Sequence, residues 1–404
     1  MGSRLRTALH ISLLVSLSVL FTLAVFELGL RSAYASKAPY RASKILRHHP
    51  KLGWELVPGS YEFFNVLAFR QAKFSIGSLG LRSQAALTSS HRRITVVGDS
   101  FVFSEALSDG ETFVDLLQER LGPRFEVVNA GVPGFGTGQE ALFIEHLRSQ
   151  GFDLGERILL VIFSNDISDN AGLDHRSMNP DPTKPLFEAR GNALRSTEAP
   201  PWPEQQLGDE LAGSSLALAL VQNRGEIALA MNPWLLRLAS RAGLSVPLPR
   251  TPGIILAWYG DSWEARWDRT EEILKFVIRD TRAHGDALSI VAMPSPFQIE
   301  PVFREMLRSG ADDRISQAFL EDIDRPQRHL RALCDSEGVP FVDLAPSLRA
   351  ARNVPAYFLR EGHLNELGAS VVANALAETL RDRPVALSAH PVQRAREEQW
   401  QVAP

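Results

Sequence analysis

A single cysteine, Cys334, stands in the whole 404-residue chain. That excludes an intrachain disulfide framework and any cysteine zinc cluster, and it leaves the compartment open, since many exported proteins carry no disulfide. Positive charge is not in excess either. Lys and Arg number 43 against 47 Asp and Glu, a formal net charge of -4, so there is no electrostatic footprint for nucleic acid. His48 and His49 are adjacent but have no second cluster of ligand residues in the sequence, which argues against a metal there, and no cofactor is expected. Long apolar runs are scarce: there is one, from about Ala8 to Phe26. The remainder, in a chain 45% hydrophobic and 22% charged, has the composition of a globular protein with room for one large domain plus appendages or for two domains.

The one apolar run is near the length of a bilayer-spanning helix and follows Arg4 and Arg6. By the positive-inside rule the short tail stays cytoplasmic and the body is exported, to the periplasm or beyond. A cleaved signal peptide is the rival, because Ala33-Tyr34-Ala35 resembles a small-residue cleavage site. A retained membrane anchor is the better expectation, since the run is long for a signal core and Glu27 and Arg31 crowd the supposed cleavage region. The expected organisation is a tail and anchor over 1–35, an irregular approach segment with short strands over 36–90, an α/β domain over 91–382 and a frayed tail over 383–404. Within the domain, 176–203 reads as a loop, 204–268 as inserted helices, and the whole insertion, at about 171–268, as a cap over the site.

In the stretch ITVVGDSFVFSEALSDGETF, Ile94 to Val97 is a short β-branched run of the kind buried on both faces of a parallel sheet, and Gly98 breaks it. Helical spacing resumes with Phe113, Leu116, Leu117 and Leu121, with Asp109 as the expected cap and Gly122-Pro123 as the stop. Ser100 is thereby placed at the C-terminal mouth of a strand, where open parallel sheets bind ligands. Further strands are expected at Phe125–Asn129, Ile158–Phe163, Leu288–Met293 and Pro340–Asp343. Helical patterns lie between them, at 139–149 and 270–284, so the alternation is that of a doubly wound sheet.

Gly-Asp-Ser by itself is weak, since turn formers in this order arise by chance in roughly one chain in ten of this length. Other strand ends add to it. Gly131 and Gly134 follow the second strand, Asn165 follows the third, and His363 precedes a helix that Asn365 can cap and whose buried face reads as Leu367, Val371 and Leu376. These residue types suit acyl transfer: a serine needs a neutral base within reach, and the tetrahedral intermediate needs donors aimed at its oxyanion. The N–H groups of Ser100 and Gly134 and the Asn165 amide are the candidates, with Gly131 the rival to Gly134, since both glycines can bend the loop.

The order GDS at 98–100, NAGVPG at 129–134, ND at 165–166 and GHLN at 362–365 resembles the SGNH, or GDSL-type, hydrolase family. The resemblance implies a three-layer flavodoxin-like α/β fold with a central parallel sheet, here with an N-terminal transmembrane helix. It also implies Ser100 as nucleophile, Gly134 and Asn165 as oxyanion donors and His363 as base. HPKLGWELVPG at 49–59 and GSLGLRS at 77–83 resemble the leader of membrane-tethered bacterial members.

Two departures from the family pattern bear on the site. Ser164 replaces the usual glycine before the asparagine, which would narrow the floor. The triad acid is commonly an Asp three residues before the His, but that position is Arg360. Glu361, two residues before His363, is the expected substitute; a Ser-His dyad and Asp343 are the alternatives. Asp99 and Asp166 are expected to brace backbone turns. The function implied is an exported serine esterase acting on an acyl ester or acylated carbohydrate. The alternatives are an O-acyltransferase on an envelope polysaccharide and a silent carbohydrate-binding scaffold, and Ser100, Asn165 and His363 speak against the scaffold.

Overall fold

The longest apolar run forms helix α1, Gly2–Ala33, in a computed structural model that describes residues 2–33, 44–82, 92–174, 178–190, 193–201, 252–310, 314–351, 354–382 and 400–403. Its segment His10–Gly29, 20 residues of mean hydropathy 2.3, is the one helix among the described residues long and apolar enough to cross a membrane. At about 1.5 Å per residue it matches a hydrocarbon thickness of about 30 Å. Leu14 and Phe21 on it are exposed, as apolar side chains facing lipid would be. Tyr34 and Ala35 of the possible cleavage site lie outside the described residues.

The approach segment makes two antiparallel hairpins, β1 (Leu46–His49) with β2 (Gly53–Leu56), and β3 (Gly59–Asn65) with β4 (Arg70–Ile76). Its Leu52, Trp54, Leu56 and Phe74 are buried in one apolar cluster with Val97, Phe135, Leu160 and Ile162. The segment is therefore packed into the core of the α/β domain.

That core surrounds a five-stranded sheet. β5 (Arg92–Gly98) leads to the short helix α2 (Ser100–Phe103) and to α3 (Phe113–Leu121); β6 (Phe125–Gly131) leads to α4 (Thr137–Ser149); β7 (Arg157–Ile162) leads to α5 (Asp166–Asp169). An antiparallel pair, β8 (Phe187–Arg190) and β9 (Ala193–Thr197), and helices over Gly253–Tyr259 and Trp263–His284 come next. β10 (Leu288–Ala292) and β11 (Phe341–Asp343) complete the sheet in the order β11-β10-β7-β5-β6, every pair parallel. Counted along the chain this is the flavodoxin-like order 2-1-3-4-5, whose switch point lies beside the first strand, β5. Gly131 pairs with Gly98 there. A Cβ on Gly131 would stand 2.3 Å from the Phe103 nitrogen, so only glycine lets α2 lie against β6.

Four expectations are corrected. Thr112, not Asp109, caps α3: its hydroxyl accepts from the Asp115 N–H and the Asp115 carboxylate accepts in return, a capping box that Asp109, three residues earlier, cannot form. In the helix Glu366–Asp382 the buried face is Ala369, Val372, Ala373 and Leu376, which recur at helical spacing, while Leu367 is exposed on the flank. The supposed loop 176–203 contains β8 and β9, where Phe187 and Leu194 are buried against the core. The chain end is also partly ordered: β12 (Trp400–Ala403) pairs in parallel with β9. Most of the proposed cap, 202–251, and tail residues 383–399 lie outside the described residues.

Candidate active site

Ser100 opens α2 directly after β5. Asp99 caps this turn, its Oδ1 accepting the Phe101 N–H at 2.8 Å, so the expected bracing role is what the geometry gives it. Behind Asn165, Asp166 likewise accepts the Phe163 N–H at 3.3 Å.

His363 reaches Ser100 from the far end of the sequence. Phe358 donates its N–H to the His363 carbonyl and Gly362 donates to the Phe358 carbonyl, closing a tight loop in which Gly362 has φ +93°, a value suited to glycine. The loop turns Glu361 back on its neighbour: Oε2 accepts the His363 backbone N–H at 2.9 Å and Oε1 accepts Nδ1–H at 2.5 Å. With Nδ1 donating, Nε2 is left to accept from the Ser100 hydroxyl at 2.7 Å. The Phe101 ring lies 4.6 Å from the imidazole and helps to fix its plane. Asn365 caps the following helix through the Gly368 N–H at 3.0 Å.

Desolvation alone would lower the pKa of His363. The charges of Glu361 and Glu105, the hydrogen bond to Glu361 and the charge of Asp99 outweigh it and raise the value to about 10.

The remaining sequence candidates divide. Gly131 donates its N–H to Asn129 Oδ1 at 3.0 Å and so has none to offer, whereas Gly134, at φ +80°, has no hydrogen-bond acceptor for its N–H among the described residues. Trp54 of the approach segment packs over Gly134 and donates Nε1–H to the Pro133 carbonyl at 2.9 Å, fixing that loop. Asn165 is buried, and its amide Nδ2 donates to Asp169 at 2.7 Å, which leaves the second N–H of the same nitrogen. Asp169 is ion-paired with Lys184. Ser164 is buried in the floor, where its carbonyl accepts Trp258 Nε1–H at 2.9 Å. Asp343 is not near the imidazole's hydrogen bonds: it ends the edge strand β11, accepts the Ala345 N–H at 2.9 Å and faces Arg331. His48 and His49 hold loops, His48 Nε2 against the Ala199 carbonyl and His49 Nδ1 accepting the Leu52 N–H.

Sequence reasoning passed over Glu105, Arg82, Asp169 and Lys184. Asp169 had a legible signal, one helical turn after Asn165 in SNDISDN. The others had none, because their contacts depend on chain segments far apart.

On α4, Glu140 is fully buried, with no hydrogen-bond partner among the described residues for either carboxyl oxygen. Burial, and then Asp99 and Asp169, raise its pKa well above the usual carboxyl range. A proton kept in the folded state but lost in the unfolded one costs nothing below the unfolded pKa of about 4.3 and costs progressively more above it, up to about 1.4 kcal/mol per pH unit. Glu140→Gln should therefore melt near the wild type at pH 4 and above it at pH 8. A constant difference across that range in thermal unfolding would refute the buried proton.

Residues 260–403 match the family described as ALGX: SGNH hydrolase-like domain, acetyltransferase AlgX. The match is thus to an SGNH hydrolase-like fold, over the C-terminal part of the chain. The matched stretch includes Glu361 and His363, while Ser100, Gly134 and Asn165 precede it. No curated protein matches the sequence. Among solved structures, similarity extends to an acetyl xylan esterase, AlAXEase, at 12% identity over 71% of this chain and 99% of that one, TM-score 0.36. An inhibitor-bound aryl esterase of M. smegmatis is 13% identical over 72% and 99%, TM-score 0.35. A G-D-S-L family lipolytic protein of Veillonella parvula is 13% identical over 72% and 98%, TM-score 0.37.

Proposed function

We propose that this chain is an exported, membrane-anchored serine esterase that moves an acyl group through a covalent ester on Ser100. The observation that carries the reading is the unbroken hydrogen-bond chain from Ser100 Oγ through His363 to Glu361, at 2.7 and 2.5 Å, beside the sheet's switch point. His363 Nε2 takes the hydroxyl proton as Oγ attacks the acyl carbon, and the carbonyl oxygen becomes an oxyanion held by the Ser100 and Gly134 N–H groups and by Asn165. Collapse of the intermediate expels the alkoxide, which takes the proton back from Nε2. Water, deprotonated by the same nitrogen, then attacks the acyl-serine; the Oγ–acyl bond breaks, Ser100 Oγ takes the proton back from Nε2, and the acid is freed. If a sugar hydroxyl attacks instead, the outcome is O-acyl transfer; the match to a family described as an acetyltransferase favours keeping this second reading.

One labelling experiment tests chemistry and placement together. A membrane-impermeant, serine-reactive phosphonate applied to spheroplasts should label the full-length chain, and the label should stay with carbonate-washed membranes. Labelling only after lysis would overturn export, and a labelled soluble form beginning near residue 36 would replace the anchor by a cleaved signal. Acyl esters turned over equally with and without polysaccharide support hydrolysis; acyl groups recovered on the polysaccharide support transfer.

A further inference from the structure

Arg82 is buried, and its guanidinium donates to the carbonyls of Phe103, Ser104 and Leu107, with the Ser104 and Leu107 contacts at 2.6 and 2.5 Å. Those carbonyls flank two residues, Glu105 and Ala106. Ser104 just before Glu105 takes the left-handed conformation at φ +60°, closing α2 with its N–H on the Ser100 carbonyl at 2.7 Å. The clamp and the turn bring Glu105 back over the base: a carboxylate oxygen of Glu105, one of Glu361 and a ring nitrogen of His363 all lie within 4.8 Å of one another. Glu105 Oε2 is buried without a hydrogen-bond partner among the described residues.

A buried carboxylate with an oxygen left unpartnered is costly unless its charge is answered. The charge that can answer it is the imidazolium that His363 becomes when it takes the serine proton. Glu361 cannot answer it: it is a like charge, and both of its oxygens accept hydrogen bonds from His363. Nor does a cation fit without cost, because both ring nitrogens are engaged and it would have to displace Ser100 or Glu361. We propose that Glu105 is a positioning residue for the base, a second carboxylate delivered from the nucleophile's own turn that stabilises protonated His363 by charge.

The groups facing the imidazole are Glu361 from its own loop, Glu105 from the turn after α2 and Asp99 from the end of β5, all acidic. Those facing Glu105 are His363, Glu361 and Asp99; burial first, and then the two acids, raise the Glu105 pKa, while His363 and a hydrogen bond from its own backbone N–H oppose them. Removing the Glu105 charge should make His363 easier to deprotonate. It should also withdraw stabilisation from the imidazolium formed in the transition state.

The catalytic consequence rests on the acyl-transfer reading, but the electrostatic one can be read without turnover. In the full chain in detergent, labelled with 13C at histidine Cε1 and with the His363 signal assigned by its loss in His363→Asn, Glu105→Gln should lower the apparent His363 pKa by about one unit or more, as expected for a charge within about 4–6 Å. Glu105→Asp should give a smaller shift. In ester turnover, the acid limb of kcat/KM should move down by the same amount in Glu105→Gln, and the plateau kcat should fall about tenfold, with KM little changed. A purely structural residue would lower the plateau without moving the limb. A His363 titration unchanged in both variants overturns the inference, and so does a limb that stays in place while the plateau falls. If the titration shifts but the wild type neither turns over esters nor reacts with a phosphonate, the Glu105 assignment stands and the acyl-transfer reading falls.

Discussion

Ser100→Ala is expected to abolish phosphonate labelling and to lower ester turnover by about 10⁴ to 10⁶ in kcat, the scale on which a lost nucleophile is felt. The size follows from the absence of a second route: without Oγ no acyl-enzyme forms, and what survives is the effect of the oxyanion donors and of binding on attack by water. The fold should be indifferent to the change. The Ser100 side chain bonds only His363 among the described residues, α2 is capped by Asp99 and closed by Ser104, and alanine is tolerated at a first helical position. Equal thermal midpoints with lost labelling would isolate the chemistry. Label found on another serine, or turnover retained in the variant, would remove Ser100 from its role.

What could be read from the sequence was what local chemistry specifies. β5 was legible because Ile94–Val97 is β-branched and needs no partner to declare itself, and Ser100 was legible because Gly98 breaks that run. His363 and Asn365 announced a helix start by their types. The strand order was not written locally, but successive strands alternating with helices admit few right-handed windings. Long-range packing was another matter. Nothing in GSLGLRS says that Arg82 will hold three carbonyls beside the nucleophile turn, and nothing in SEA says that a left-handed Ser104 will aim Glu105 at a histidine on a distant loop of the chain. β8 and β9 were missed for a related reason. Each is a short strand in a polar, Pro-containing stretch, where the burial of Phe187 and the alternate burial of Leu194 and Ser196 are not marked by a run of apolar residues.

The acid is the part of the site where sequence pattern and family expectation diverge, and Glu361→Gln is where the divergence is tested. Glu361 does two things: its backbone-bonded oxygen fixes the loop, and its other oxygen takes Nδ1–H at 2.5 Å, which sets the tautomer that leaves Nε2 free for Ser100. A glutamine can keep one of these contacts through its carbonyl but loses the charge that stabilises the imidazolium. In a serine protease the corresponding amide replacement costs about 10⁴ in kcat. Here the loss should be at least about 10², because Glu105 and Asp99 still face the ring. The pH profile should move with it. With His363 raised to about 10, wild-type activity should climb with pH well above the ordinary histidine range near about 6.5. Removing Glu361, the largest of the raising charges, should bring that limb down while the plateau falls, a pairing that loss of folded protein cannot produce. Asp343→Asn is the control, since Asp343 bonds the Ala345 N–H at the sheet edge, and it should leave kcat nearly intact. Near-normal kcat in Glu361→Gln would mean that Ser100 and His363 work as a pair, and a large loss confined to Asp343→Asn at an unchanged thermal midpoint would put the acid on β11.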